Sequence, residues 1–508
     1  MSAAILDTLR SIRGRVGPRR TPGLDDDVVQ RFADADPELV AAITDAGVAF
    51  EALAASDPDL VSRPEADLIR ELQNDYVNFY EDADVNPYIP IAGRGPWIVT
   101  THGAVVHDNG GYGMLGFGHA PPSVVAALAR PYVMANVMTA SLAQARFGRR
   151  LRSEIGHTRG ACPFDRFMCL NSGSEAMTLA MRIADVHTHR QTSPGGAHEG
   201  KKIRILSLEG SFHGRTYRPA RASHSTDARY RKALASFQSR DDLWTTPIND
   251  VDALKAVFER ADREGCYIEF MVMEPVQGEG APGTAVSRAF YDAARALTRQ
   301  HGTFLIIDSI QAGLRAHGVL SIVDYPGFQD ADGPDMETWS KAINAGQFPL
   351  SVLGLSLRAS TAYTRGVYGN TMTTNPRALD VASAVLDLVT PELRENIEAR
   401  GAELVDRLTA LKNERPDVIL DVRGTGLLVA AELDPAKIQV TGRGGAEEWL
   451  RVRGIGVIHG GKNALRFTPH FRITSTELDL VVENVRRAID TLAPARAATA
   501  ELVGAARA

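Results

Sequence analysis

Between about residue 115 and residue 375, short apolar runs alternate with amphipathic stretches, and this alternation constrains the fold more than any other feature of the chain. The runs Phe167-Met168-Cys169-Leu170, Ile203-Arg204-Ile205-Leu206-Ser207-Leu208, Phe270-Met271-Val272-Met273 and Thr303-Phe304-Leu305-Ile306-Ile307-Asp308 are short and dominated by apolar residues. They read as buried strands. Stretches 122–135 and 287–300 carry apolar residues at helical spacing. Such alternation predicts an α/β fold, a mostly parallel central sheet with helices on both faces. Sites in such folds are built at strand ends, so the residues that follow each run matter most.

Asn171-Ser172-Gly173-Ser174-Glu175-Ala176 lies between one strand and the helical run 177–186. A small-residue turn opening a helix offers free N–H groups and a favourable dipole to an anion, and Gly173 permits close backbone approach. The same hexapeptide would also serve as an ordinary N-cap turn. Phe212-His213-Gly214-Arg215-Thr216 follows the second strand. It supplies an aromatic face and a guanidinium suited to bidentate carboxylate binding. Glu274-Pro275-Val276-Gln277-Gly278-Glu279-Gly280 places two carboxylates after the third. The fourth ends in Asp308, and Lys341 follows in Asp335-Met336-Glu337-Thr338-Trp339-Ser340-Lys341. A lysine amine can form a Schiff base with an aldehyde cofactor, and a carboxylate at a strand end can keep a pyridine nitrogen protonated.

In this order the motifs resemble the class III (ornithine, GABA and ω-amino acid type) aminotransferases, pyridoxal-phosphate enzymes of fold type I. The resemblance covers roughly residues 80 to 490. Further matches are the stretch 111–121, Gly369-Asn370-Thr371-Met372-Thr373-Thr374-Asn375-Pro376, Val422-Arg423-Gly424-Thr425-Gly426-Leu427 and Leu465-Arg466-Phe467-Thr468-Pro469. It implies pyridoxal 5'-phosphate as cofactor, with the following roles. Lys341 carries the Schiff base and Asp308 pairs with the ring nitrogen. Gln311 reaches the phenolic oxygen and Phe212 stacks on the ring. Ser172, Gly173 and Ser174 form the phosphate turn. His213 and Glu274 are cofactor neighbours, His213 as packing or polar support because lysine moves the proton in this family. Thr371 reaches the phosphate of a neighbouring subunit, so the site is shared in a homodimer.

The resemblance also bears on substrates. Arg466 matches the arginine that binds an α-carboxylate, and Arg215 the one that binds a distal carboxylate. Glu279 matches the glutamate that pairs with the α-carboxylate arginine when a substrate lacks that group. Together they imply ping-pong transfer from glutamate to an aldehyde or ketone acceptor. Alternatives are a mutase, epimerase or decarboxylase of the same fold, or a pyridoxal-phosphate-binding protein without turnover. The chain departs from the family where Ser309 and Ile310 precede Gln311, where Ala342-Ile343-Asn344 follow Lys341, and at Ala281. Together with the helical extension, these departures point away from a housekeeping substrate such as acetylornithine and toward a specialised bacterial pathway of the secondary-metabolism kind.

With 508 residues the chain is long enough for several domains. We expect a helical extension over 1–75, a segment over 76–115 packing with a small domain, a large cofactor domain over 116–375 and a C-terminal small α/β domain over 376–508. Within the extension, helical spacing recurs over 25–32, 37–50 and 64–79, and the bland role of packing on the main body is preferred to shaping the substrate entrance. A net charge of −6 gives no sign of nucleic-acid affinity. Arg outnumbers Lys heavily, which reads as a GC-rich bacterial coding bias. Cys162, Cys169 and Cys266 show no metal or disulfide spacing and fit a cytoplasmic protein. No uninterrupted apolar run reaches 18 residues, so no membrane span is expected. The Arg-rich stretch 6–20 reads as an amphipathic helix with a polar flank rather than a transit peptide. His187-Thr188-His189 lacks a third ligand, so no metal site is expected, and Gly442-Arg443-Gly444-Gly445 reads as a turn. Residues 377–415 read as one long helical stretch, and the Ala-rich tail after Pro494 as a short helix.

Overall fold

The computed structural model describes residues 2–493, so the tail helix expected after Pro494 lies outside the described residues. The strands are β1 (Pro90–Arg94), β2 (Trp97–Thr100), β3 (Val105–Asp108), β4 (Arg166–Leu170), β5 (Lys202–Leu208), β6 (Leu243–Thr246), β7 (Cys266–Met273), β8 (Phe304–Asp308), β9 (Met336–Trp339) and β10 (Ser351–Leu355). They are followed by β11 (Ile419–Thr425), β12 (Leu428–Leu433), β13 (Ile455–Gly456), β14 (Ile458–Gly460) and β15 (Ala464–Phe467).

The central sheet has seven strands in the order β4-β10-β9-β8-β7-β5-β6. Only β10 runs against its neighbours; the pairings from β9 through β8, β7 and β5 to β6 are parallel. The sheet is therefore mostly parallel, as the alternation predicts. All eight residues of β7 are buried, which is what covering both faces with helices requires. Successive residues of β7 point to opposite faces. Phe270 and Val272 pack with Leu179 and Ile183 of helix Gly173–Thr192. Met271 and Met273 belong with Phe258 and Phe290, from helices Val251–Arg263 and Arg288–Gln300. Two four-stranded sheets, β1-β2-β3-β13 and β11-β12-β15-β14, complete the framework.

Three helical expectations are corrected. The helix expected over 64–79 spans only Glu65–Gln73. Asn74, Asp75 and Asn78 follow, and such side chains compete with helical backbone bonding; Asn78 Oδ1 accepts the Tyr80 amide at 3.0 Å. The helix expected over 122–135 is Pro122–Leu128, since Pro131 has no amide to donate and restricts the residue before it. The stretch 377–415 is two helices, Pro376–Leu386 and Pro391–Glu414. Thr390 caps the second and Pro391 occupies its first position.

Of the N-terminal helices Ser2–Arg13, Asp26–Ala33, Pro37–Ser56 and Glu65–Gln73, the first two pack on Pro37–Ser56, which contacts the body of the protein directly. Pro37–Ser56 is long and apolar enough by composition to cross a membrane, yet Leu39, Ala42, Ile43, Ala46 and Phe50 are buried and the helix lies on β1 and β2. Trp97 of β2 is the centre of this contact. Its ring lies 5.3 Å from that of Phe32, and its Nε1 donates to Asp36 Oδ2 at 2.6 Å. Arg94 Nε donates to Asp45 at 2.7 Å, and the Leu24 amide to Val105 at 3.0 Å. Glu65 accepts the amides of Arg20 and Thr21, each at 2.8 Å. Trp97→Ala should cost about 3–5 kcal/mol, because it opens a cavity and strips Asp36 of its donor. Chemical denaturation checks this, and a loss below about 1 kcal/mol would show that the N-terminal helices hold without Trp97.

Candidate active site

Five strands of the central sheet send their following residues to one cavity of about 710 Å³. After β4 come Asn171, Ser172, Gly173 and Ser174; after β5, Phe212, His213, Gly214 and Arg215. Beyond β7 lie Glu274 and Glu279, β8 ends in Asp308 with Ile310 and Gln311 beyond it, and Ser340 and Lys341 follow β9. Arg466 reaches in from β15. Every site residue expected from the sequence lines this cavity except Thr371.

The turn after β4 is a capping box. Ser172 Oγ accepts the Glu175 amide at 3.3 Å, and Glu175 Oε2 accepts the Ser172 amide at 3.2 Å. The amides of Gly173 and Ser174 occupy the first two helical positions, where no intrahelical acceptor exists. A Cβ on Gly173 would lie 2.8 Å from Ile310 Cδ1. Gly214 has φ 121°, and a Cβ there would collide with Ser174 Oγ. Glu175 also binds outward, with Oε1 accepting Asn370 Nδ2 at 2.6 Å.

Buried Asp308 is oriented by two groups. His213 Nδ1 lies 2.8 Å from Oδ2, and the Ile310 amide donates to Oδ1 at 3.2 Å. Buried Glu274 accepts the Gly278 amide at 2.9 Å and the Phe212 amide at 3.1 Å. Burial pushes its carboxyl up to about 7, with His213 opposing and Asp308 reinforcing the shift. Where the resembled family has a glutamate beside the aspartate, Ser309 donates to Glu337 of β9 at 2.6 Å. A carboxylate is thus still present beneath the turn, supplied by another strand.

Lys341 sits half-buried in the cavity with a left-handed φ of 39°, a strained conformation for a residue with a side chain. Burial, helped by Arg466, pushes its amine down to about 8, against the opposing pull of Glu279, Asp308 and Glu274. Arg466 is closed on Glu279, with Nη1 2.7 Å from Oε2 and 2.5 Å from the Gly278 carbonyl. Burial alone would raise the Glu279 carboxyl, but Arg466 and Lys341 hold it below its ordinary value. Arg215 is different: among the described residues its guanidinium makes no ion pair, and it lies 5.4 Å from the ring centroids of both Phe79 and Phe212.

Thr371 lines a second cavity of about 920 Å³, where its carbonyl accepts Asn136 Nδ2 at 3.0 Å. Several exposed apolar side chains, Val133, Met134, Val137, Met138 and Met372, occur in the same two segments. Sequence reasoning missed Phe79, Tyr80, Met114, Asn344, Phe348 and Pro349 in the main cavity. Three of these carried a signal: Phe79 as the last residue of a helical-spacing stretch, Met114 within the matching stretch 111–121, and Asn344 as a departure after Lys341.

The residues present fit pyridoxal phosphate on geometry of their own. Open amides at a helix N-terminus suit its phosphate, a buried carboxylate suits a protonated pyridine, and a free amine suits an aldehyde. Three buried side-chain atoms of cavity-lining residues, His213 Nε2, Gln311 Oε1 and Arg466 Nε, have no hydrogen-bond partner among the described residues. The dipole of Gln311 is thus free to reach a ligand.

The aminotransferase class-III family pattern matches residues 80–489. An acetylornithine/succinyldiaminopimelate aminotransferase of Yersinia pestis is 31% identical over 411 residues, 79% of this chain and 93% of that protein. Ornithine aminotransferase 2 of Staphylococcus aureus is 30% identical over 323 residues, 63% of this chain and 74% of the relative. Among solved structures, the ornithine aminotransferase of Toxoplasma gondii superposes with a TM-score of 0.72 at 23% identity, over 86% of this chain and 98% of its own. An S-selective transaminase of Bacillus megaterium gives 0.70 at 16% identity, over 84% and 98%. The strand-end cavity, its lysine and carboxylate, and a family match across most of the chain lead to one conclusion: this protein belongs to the class III aminotransferases, fold type I enzymes that depend on pyridoxal 5'-phosphate.

Proposed function

We propose that the protein moves an amino group from glutamate to an aldehyde or ketone acceptor that lacks an α-carboxylate, by ping-pong transfer in one pocket. The observation that carries this reading is the contrast between two arginines. Arg466 is closed on Glu279, whereas Arg215 at the same cavity has no anion among the described residues. A pocket that takes two substrates in turn needs one cation that can be released and one that stays available. In this reading Arg466 leaves Glu279 to bind the α-carboxylate of glutamate, and Arg215 binds the distal one. When the second substrate enters, Glu279 takes Arg466 back and no buried cation is left unpaired.

When bound, pyridoxal phosphate supplies an aldehyde for Schiff-base formation and a ring that accepts the electron pair left at a deprotonated carbon. The chain holds it through the Gly173 and Ser174 amides at the phosphate and Phe212 against the ring. Glu274 fixes Phe212 through its backbone. Asp308, aligned by His213, holds a proton at the ring nitrogen, and Gln311 faces the ring oxygen. Lys341 Nζ moves the proton between carbons. With its pKa near 8 it holds more free amine at neutral pH than an ordinary lysine.

We further assign the exposed apolar side chains around Thr371 to a subunit interface, so that Thr371 of one copy reaches the phosphate site of another. The cytoplasmic placement expected from three unpaired cysteines belongs to the same reading. Asn344 and Phe79, which line the cavity, support a specialised acceptor over acetylornithine.

Asp308→Asn should slow turnover at saturating cofactor on the order of 10²-fold, because a neutral amide cannot hold the ring nitrogen protonated. Loss of cofactor affinity alone, with turnover intact at saturation, would refute that role. Covalent cofactor capture by the apoprotein, followed by absorbance, should accelerate about tenfold per pH unit and level off above about pH 8, since the free amine is the reactive form. Continued acceleration to pH 10 would mean an ordinary lysine, and Lys341→Ala should show no covalent capture. Arg215→Ala should cost the glutamate half-reaction roughly 2–5 kcal/mol while a monoamine half-reaction loses little. Equal losses in the two half-reactions would make Arg215 structural.

A further inference from the structure

The family match begins at residue 80, so Phe79 belongs to the part of the chain that the match does not cover. It nevertheless lines the active-site cavity. The N-terminal helices end at Gln73, and the chain then runs to the cavity mouth through an Asn78 turn. Beyond Phe79 this segment is tied down on two sides. Glu81 pairs with Arg229 of helix His224–Ala233 at 3.0 Å. Asp84 accepts the Gly442 amide at 3.2 Å, and its carbonyl accepts Arg451 Nη1 at 2.7 Å. Tyr80 meets His459 edge-on at 6.4 Å. Phe79 is therefore held at the mouth although it is 67% exposed.

Its contact there is Arg215, whose guanidinium lies over the Phe79 and Phe212 rings, 5.4 Å from each. Stacking engages the faces of a guanidinium and leaves its in-plane N–H groups for a carboxylate. A lone exposed arginine would have to give up its rotamer freedom at each binding event. We infer that Phe79 is a specificity-determining residue of this enzyme: it pre-positions Arg215 for the distal carboxylate of a dicarboxylic amino donor or its oxo acid. This rests on the reading of Arg215 as a carboxylate-binding residue. The N-terminal addition thus reaches the chemistry through a single ring. Helix Pro37–Ser56 of that addition packs on β1 and β2, while Phe79, beyond its last helix, lines the cavity.

The test compares Phe79→Ala, Phe79→Tyr and Arg215→Ala in the holoenzyme. Glutarate binding is measured by calorimetry, and both half-reactions are followed by absorbance. Phe79→Ala should weaken glutarate binding and raise the glutamate KM roughly 3-fold to 10-fold, with the loss in KM rather than kcat. The glutamate half-reaction should fall by that factor relative to a monoamine half-reaction. Phe79→Tyr should retain binding, and adding Phe79→Ala to Arg215→Ala should cause no further loss. If Arg215→Ala weakens glutarate binding but Phe79→Ala does not, or if Phe79→Ala lowers both half-reactions equally, the inference about Phe79 fails alone. If Arg215→Ala leaves glutarate binding intact, the reading of Arg215 fails and this inference with it.

Discussion

Parallel pairing forces the carboxyl ends of neighbouring strands onto the same edge of a sheet, and the rest of this structure depends on that constraint. β5, β7, β8 and β9 are hydrogen-bonded neighbours with a common direction. Whatever follows them is delivered to one place without long-range search. Residues more than a hundred positions apart, such as Phe212 after β5 and Lys341 after β9, thus line one cavity. The strands themselves are apolar and buried, so the sheet is a rigid floor on which polar residues stand only at the edge.

The edge is also where charge is balanced. Glu274, Glu279 and Asp308 face Lys341 and Arg466 around half-buried or buried positions. Burial favours the neutral form of each group, and proximity to an opposite charge restores the ionised one. Glu274 and Lys341 are moved chiefly by burial, toward neutrality in both cases. Glu279 is carried the other way by Arg466 and Lys341. Arg466 is therefore the hinge of the local electrostatics, since it touches Glu279 and helps depress Lys341.

The sheet, its direction and the strand-end motifs were legible in the sequence because each is local. A buried strand is a short apolar run, and a phosphate turn is a few small residues before a helix. Helix ends at Gln73 and Leu128 were less legible, because apolar spacing continues past the residues that stop the helix. Phe348 and Pro349 escaped notice because nothing in an apolar side chain marks it as cavity wall rather than core. Phe79 escaped because its role is set by tertiary placement beside a residue 136 positions away. The Ser309–Glu337 bond was equally hidden: a missing glutamate reads as a loss until the neighbouring strand is seen to replace it.

Glu175 has a consequence that extends beyond its capping role. One carboxylate oxygen fixes the turn that offers amides to the phosphate, and the other holds Asn370, next to Thr371. The phosphate turn and the segment assigned to the subunit interface are thus braced by one side chain. Where two binding events draw on one brace, they are thermodynamically linked, and the linkage is reciprocal. Loading with cofactor would tighten subunit association by the same factor by which association tightens cofactor retention. In the proposed dimer, dilution and cofactor depletion would then be two routes to the same inactive population.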